Sequence, residues 1–239
     1  KCRDAMHRVS TINSNIPRQY TIMSQFTHVL FDLDGTLTNP RLGIGNSLKY
    51  ALRQMHMDGF SNEILEKFVG PPLQDSFKNL FGMNERNTAL AVEHFRTYFG
   101  EKGLYENEPY DGISDLLAEL HFSGKRVYVV TSKLEKYAQM IMRHFEFDRY
   151  LDDLQGAEAS GKHSGKGQLI EQLLERNRIP ASDKVVMIGD THFDLIGARE
   201  NDISSIAVTY GFGTVDTLSV HNPDYIVDSV DDLTELLLG

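Results

Sequence analysis

The chain has 239 residues, room for one large domain or two modest ones at roughly 100–200 residues per domain, and it can bury a core without staples. Acidic residues number 34 against 24 basic ones, and the resulting charge of −10 repels polyanions and excludes nucleic acid as an expected partner, although a bound cation can still admit a small anion. A single cysteine, Cys2, rules out an internal disulfide and points to a reducing, cytoplasmic setting; no apolar run approaches the roughly 20 residues of a membrane span.

Residues 1–24 read as a polar, mildly basic tail (Lys1, Arg3, Arg8, Arg18), disordered, loosely docked or added in cloning, with Met23 a candidate natural start. They lack the continuous apolar stretch of a signal peptide. His28-Val29-Leu30-Phe31 then forms a buried strand that ends at Asp32. From Gly43 to Pro109 the pattern is helical only, with candidate helices over 44–57, 61–68, 73–81 and 84–100, broken at Gly59, Gly70-Pro71-Pro72 and Gly82. A helix carrying Ile113, Leu116, Leu117 and Leu120 on one face precedes the strand Lys125–Val130, which leads into Thr131-Ser132. Leu134, Tyr137, Ala138, Ile141 and Phe145 line the next helical face. Leu169, Ile170, Leu173 and Leu174 line another before the strand Lys184–Ile188, which ends at Gly189-Asp190. Strands at Ser205–Val208 and Asp224–Val227 follow.

Strand and helix in alternation predict a three-layer α/β domain with a parallel sheet and right-handed crossovers. The expected division is a tail over 1–24, a core from 25–40 and 110–239, and a small all-helical domain over 41–109, with turn residues at both junctions suited to hinges.

Three clusters fall at carboxyl ends of predicted strands, where open α/β sheets bind ligands. They are Asp32-Leu33-Asp34-Gly35-Thr36, Thr131-Ser132 and Gly189-Asp190-Thr191-His192-Phe193-Asp194. Adjacent carboxylates repel one another, and a divalent cation relieves that repulsion. Asp32, Asp34 and, from a different strand, Asp190 make an oxygen-rich site that suits Mg²⁺ better than a transition metal. A carboxylate attacks a phosphate only when charge is neutralised, so Asp32 is the candidate nucleophile and Asp34 the candidate acid/base. Thr131 and Ser132 are candidate donors to phosphoryl oxygens. Lys166, directly before a helical pattern, is favoured over Lys162 as the neutralising cation.

Plainer readings stand beside these. An Asp-Gly pair is commonly a turn, Thr131-Ser132 has the composition of a helix N-cap, and Asp194 that of a first-turn acid. His192 reads as a solvated loop residue, Arg41 as a surface charge and Pro71-Pro72 as a helix stop. Gly43-Ile44-Gly45 lacks a dinucleotide site's third glycine, and the stretch from Ser160 to Gly167 lacks the first glycine and final hydroxyl of a nucleotide-binding loop.

Taken together, Phe31–Thr38, Val129–Lys133, Lys166 and Ile188–Asp194 resemble the haloacid dehalogenase superfamily, over residues 26–239. Within it the chain is similar to the phosphoglycolate phosphatase and 5′-nucleotidase branch with a helical cap, a likeness that Gly70-Pro71-Pro72-Leu73 and Ser76-Phe77 share. The resemblance implies a Mg²⁺-dependent phosphatase acting on a small phosphorylated metabolite; a cytoplasmic monomer or homodimer is expected. It also implies Asp32 as nucleophile, Asp34 as acid/base with its carbonyl on the metal, Thr131 and Lys166 on phosphate, Asp190 on the metal and Asp194 behind the metal shell. Ser132 departs from the Asn frequent in that branch. The alternative is a phosphomutase of the same superfamily, against which Thr36 and the phosphatase-like cap argue.

Overall fold

The computed structural model describes residues 25–57, 59–69, 71–158 and 165–239; the tail over 1–24, Gly70 and Lys162 lie outside them. The chain runs β1 (His28–Phe31), β2 (Thr38–Asn39), α1 (Arg41–Gln54), α2 (Asn62–Phe68), α3 (Leu73–Phe81), α4 (Glu85–Tyr98), a π-helical turn (Phe99–Gly103), β3 (Glu108–Pro109), α5 (Ile113–Phe122) and β4 (Arg126–Leu134). It continues with α6 (Glu135–His144), a 3-10 turn (Asp148–Tyr150), β5 (Asp153–Ala157), α7 (Lys166–Asn177), β6 (Val185–Gly189), α8 (His192–Glu200), β7 (Ser204–Val208), α9 (Val215–Ser219), β8 (Tyr225–Val227) and α10 (Val230–Leu238).

Six strands pair in parallel in the order β5-β4-β1-β6-β7-β8. Side chains alternate across a strand, and here both faces are apolar. Val29, Phe31, Val127, Val129, Val186 and Ile188 join one buried cluster with Ile113, Leu116 and Leu117 of α5. Leu30, Tyr128, Val130, Val185 and Met187 point the other way, against Leu169, Ile170 and Leu173 of α7. A sheet covered on both faces is the α/β Rossmann-like arrangement expected from the alternating pattern.

Register places the chemistry. Phe31 pairs with Val129 of β4 and Ile188 of β6. Asp32 therefore leaves β1 level with the ends of both neighbours, and Thr131 and Asp190 each lie two residues past Phe31's partners. Three separate stretches of chain meet at one edge because β1 is central.

Between β2 and β3 the chain is helical, and aromatic rings build its interior. Phe68 packs on Phe77 with centroids 5.1 Å apart and on Phe95 at 5.7 Å, and Phe95 stacks on Phe99 at 5.8 Å. Local signals fix the helix ends: Ser61 and Asn84 accept from Ile64 N and Asn87 N, and Gly82 closes α3 in the left-handed region.

Some details differ from the sequence pattern. β5 was not anticipated, because Asp153-Leu154-Gln155-Gly156-Ala157 has no apolar run. It is an edge strand held by Arg176, whose guanidinium donates to Asp153, Gln155 and the Leu154 carbonyl. The stretch read as helix-only also contains β3, which pairs with β2 as a two-residue antiparallel ribbon at the neck of the helical segment. β4 runs on to Leu134, so Thr131 and Ser132 do not cap α6, which is entered through Leu134.

Gly43 owes its place to packing. A Cβ there would lie 2.0 Å from the Gly103 carbonyl oxygen and 2.9 Å from that of Glu106. Overpacking against backbone costs about 1–3 kcal/mol. Gly43→Ala should therefore lower the melting temperature by roughly 2–12 °C for a chain of this size, read by thermal denaturation; an unchanged transition would mean that α1 and the π-helical turn do not approach this closely.

Candidate active site

Asp32 is buried at the end of β1, and its Oδ1 accepts from Leu33 N at 2.7 Å. Lys166, the first residue of α7, is also buried. Its ammonium lies 2.9 Å from Asp32 Oδ1 and 2.8 Å from Asp194 Oδ1, and donates to the Val130 carbonyl at 3.0 Å. Asp194 sits in the first turn of α8, where its other oxygen accepts from Thr191 N at 3.1 Å and from the Thr191 hydroxyl at 2.7 Å. The first-turn-acid reading of Asp194 thus holds together with a second contact, to Lys166.

Asp190, fully buried, follows β6. Its Oδ2 accepts from Phe212 N at 2.8 Å, and Thr36 donates to Oδ1 at 3.5 Å. Gly35 (φ +87°) passes so close that a Cβ would lie 2.1 Å from Asp190 Oδ2. Only glycine can both adopt that backbone and leave the carboxylate in place.

One oxygen each from Asp32, Asp190 and Asp194 lies within 4.8 Å of the others, all three residues being buried. Burial, then the Asp194 charge, raise the Asp32 carboxyl to about 6 against the pull of Lys166. Burial, then Asp194 and Asp32, push Asp190 well above the usual carboxylate range. Burial alone would lower Lys166, but Asp194 and Asp32 more than offset it and its pKa rises. Among the described residues one ammonium, that of Lys166, pairs with two of these three crowded carboxylates. A divalent cation would relieve what remains, and an all-oxygen donor set suits a hard ion. The fit is good.

Asp34 stands slightly apart. Its Oδ2 pairs with the Lys133 ammonium, while its buried Oδ1 has no hydrogen-bond partner. Lys133 also lies 4.8 Å from the centre of the Phe99 ring, a cation–π contact that ties the helical segment to Asp34. Thr131 is buried, and its oxygen accepts from Lys133 N at 3.2 Å, leaving the hydroxyl proton free to donate. His192 is exposed and does not line the cavity; its ring tilts against Phe193 at 4.0 Å and stacks on His221 at 5.4 Å.

A cavity of about 170 Å³ opens over these groups. Asp32, Asp34, Thr131, Ser132 and Lys166 line its floor, and Phe68, Pro71, Pro72, Leu73, Gln74, Phe95, Arg96 and Phe99 of the helical segment line its roof. Five of the seven expected site residues thus face one cavity, with Asp190 and Asp194 directly behind it. Sequence reasoning assigned no role to Lys133, Arg96 or Phe212 N. Lys133 had a signal, since it lies two residues beyond Thr131 on an extended strand; the other two had none, because their approach depends on tertiary packing.

An open parallel sheet with a carboxylate and lysine cluster at the carboxyl ends of its central strands places a ligand site where α/β folds of this kind carry theirs. The chain belongs to the haloacid dehalogenase-like hydrolase family, whose model matches residues 29–208. It is 41% identical to a 5′-nucleotidase of Pseudomonas aeruginosa over 89% of this chain and 96% of that protein. It is 31% identical to the tyrosine-protein kinase PtkA of Mycobacterium tuberculosis over 87% of this chain and 72% of that one. A predicted phosphatase from Clostridium acetobutylicum has the same fold, with a TM-score of 0.83 at 41% identity over 88% of this chain and 97% of that one.

The carboxylate cluster has a consequence for stability. An acid whose pKa is raised on folding stabilises the fold below its unfolded value and loses that contribution as pH rises through the folded one, so the metal-free protein should weaken from about pH 4 to beyond 6. A divalent cation opposes that loss. At a concentration about a hundredfold above Kd it adds about 2.7 kcal/mol, or roughly 5–11 °C. The melting-temperature difference between Mg²⁺ and chelator should be larger at pH 7.5 than at pH 5; an equal difference at both would separate the cation from these carboxylates.

Proposed function

We propose that this chain is a Mg²⁺-dependent phosphatase that hydrolyses small phosphate monoesters through an aspartyl-phosphate on Asp32. The observation that carries this reading is the position of Asp32. It is buried at the floor of the cavity, fixed by Lys166 and Leu33 N, and within 4.8 Å of further carboxylate oxygens from the adjoining strand end. Family membership and the kinship with a 5′-nucleotidase and a predicted phosphatase support it.

Asp32, Asp190 and the Asp34 carbonyl would hold the cation, with Asp194 behind them. Such an ion supplies positive charge that keeps the carboxylates ionised and draws electron density from the phosphoryl group. An Asp32 oxygen attacks phosphorus, and the bond from phosphorus to the ester oxygen breaks. Asp34 gives its proton to the departing oxygen. Lys133 holds Asp34 Oδ2, so the unpartnered Oδ1 is the oxygen able to carry that proton. Water then attacks the phosphorus of the aspartyl-phosphate, Asp34 takes up its proton, and phosphate leaves as the Asp32 carboxylate is restored. Thr131 and Ser132 donate to the phosphoryl oxygens, and Lys166 offsets their charge.

Residues 41–109 act as a cap that excludes bulk water and reads the leaving group. Their roof residues and the Lys133–Phe99 contact support that role. A phosphorylated metabolite such as phosphoglycolate or a 5′-nucleotide is the expected substrate, and the lone cysteine supports a reducing, cytoplasmic setting.

Asp32→Asn should remove all turnover of phenyl phosphate. Asp34→Asn should cost about 10²–10⁴-fold in kcat, the usual contribution of a positioned acid/base. Both are read by release of inorganic phosphate in Mg²⁺, with chelator as the blank. Undiminished turnover by Asp32→Asn would end the covalent mechanism, and transfer to a sugar without net phosphate release would favour a mutase.

A further inference from the structure

The roof of the cavity carries a cation that the phosphoryl chemistry does not use. Among the described residues, three cations line the cavity: Lys133, Lys166 and Arg96. Lys133 is paired with Asp34, and Lys166 with Asp32 and Asp194. Arg96, on α4, is in none of the ion pairs, and its buried Nε has no hydrogen-bond partner. Phe95 and Phe99 on the roof bring no side-chain acceptor, and Gln74 and Glu158, which also line the cavity, make no hydrogen bond to that Nε.

A buried donor without an acceptor is costly, and a guanidinium cannot escape by losing its proton. Nε itself is enclosed, so a ligand in the cavity would meet the terminal nitrogens, which a planar or multi-oxygen anion engages best. The cavity's volume of about 170 Å³ lies below the roughly 300 Å³ at which pockets for drug-sized ligands begin. The space favours a compact leaving group.

We infer that Arg96 is a specificity-determining residue that selects substrates whose small leaving group carries a second oxyanion. The inference rests on the phosphatase reading and deepens it by assigning the substrate class. The oxyanion has two sources, a carboxylate or a second phosphoryl group, and the shared chemistry is an anionic oxygen pair facing Arg96. Gln74, which also lines the cavity, offers an uncharged amide donor.

The experiment compares wild type, Arg96→Gln and Arg96→Lys in Mg²⁺. Three probes are compared: the ester phosphoglycolate for a carboxylate, the anhydride pyrophosphate for a second phosphoryl group, and phenyl phosphate for a neutral leaving group, with a nucleoside 5′-monophosphate as a bulky neutral control. Arg96→Gln should lose roughly 10- to 100-fold in kcat/KM on whichever anionic probe is the better substrate, as expected for one hydrogen bond to a charged group. It should lose less than about threefold on phenyl phosphate. Arg96→Lys should recover part of the loss, because it keeps the charge without the fork. Unchanged melting temperatures separate this pattern from misfolding.

Equal losses on anionic and neutral esters would overturn the inference, placing Arg96 on the transferred phosphoryl group or in the framework. Wild-type preference for the neutral esters would overturn it as well. A binding arm separates its failure from failure of the phosphatase reading. Calorimetry of phosphoglycolate and pyrophosphate with Mg²⁺-loaded Asp32→Asn, with and without Arg96→Gln, reads Arg96 without turnover. A matching 10- to 100-fold weakening supports the inference even if no ester is hydrolysed, and equal binding overturns it.

Discussion

The site is organised around a charge imbalance that folding creates and the protein alone does not resolve. Asp32, Asp190 and Asp194 converge below the surface, and among the described residues Lys166 is the cation that pairs with them, through Asp32 and Asp194. Lys166 can do so because it opens α7 with its ammonium turned onto both Asp32 and Asp194. Removing either acid would leave the lysine less well paired, and removing the lysine would leave buried carboxylates that must take up protons. The residual negative charge is the reason an oxygen-preferring divalent ion belongs in the account.

The sheet makes this imbalance affordable. Central β1 is flanked by β4 and β6 in register, so three short segments reach one end of the sheet side by side. The backbone finishes the geometry through Phe212 N on Asp190, Leu33 N on Asp32 and Thr191 N on Asp194. Amide donors favour the ionised carboxylates and cannot titrate. On the far side of the cavity, the helical segment brings apolar surface and one unpaired guanidinium. In the proposed mechanism the floor would handle phosphate, which would leave the roof free to differ with the leaving group.

Much of this was legible in the residues. The apolar runs of β1, β4, β6 and β7 announced a sheet buried on both faces, and Asp32, Asp34 and Asp190 stood out because they fall at the carboxyl ends of such runs, where open α/β sheets bind ligands. Lys166 was readable because it directly precedes a helical pattern. β5 was hidden, since an edge strand stapled by Arg176 needs no apolar run. The β2–β3 ribbon was hidden because it pairs residues about 70 apart in only two positions. Lys133 sat in plain view beside Thr131, but its hold on Asp34 and its seat over Phe99 depend on how the helical segment lies across the sheet. Arg96 was one surface-type residue among many on α4 until packing buried its Nε.

The most direct measurement is anomalous diffraction from crystals of the full chain soaked in Mn²⁺, which replaces Mg²⁺ at oxygen sites. A single strong peak touching carboxylate oxygens of both Asp32 and Asp190, and absent from Asp190→Asn crystals, is the predicted result. A peak only at surface acids, or none at this cluster, would contradict the claim that these two strand ends share one ion.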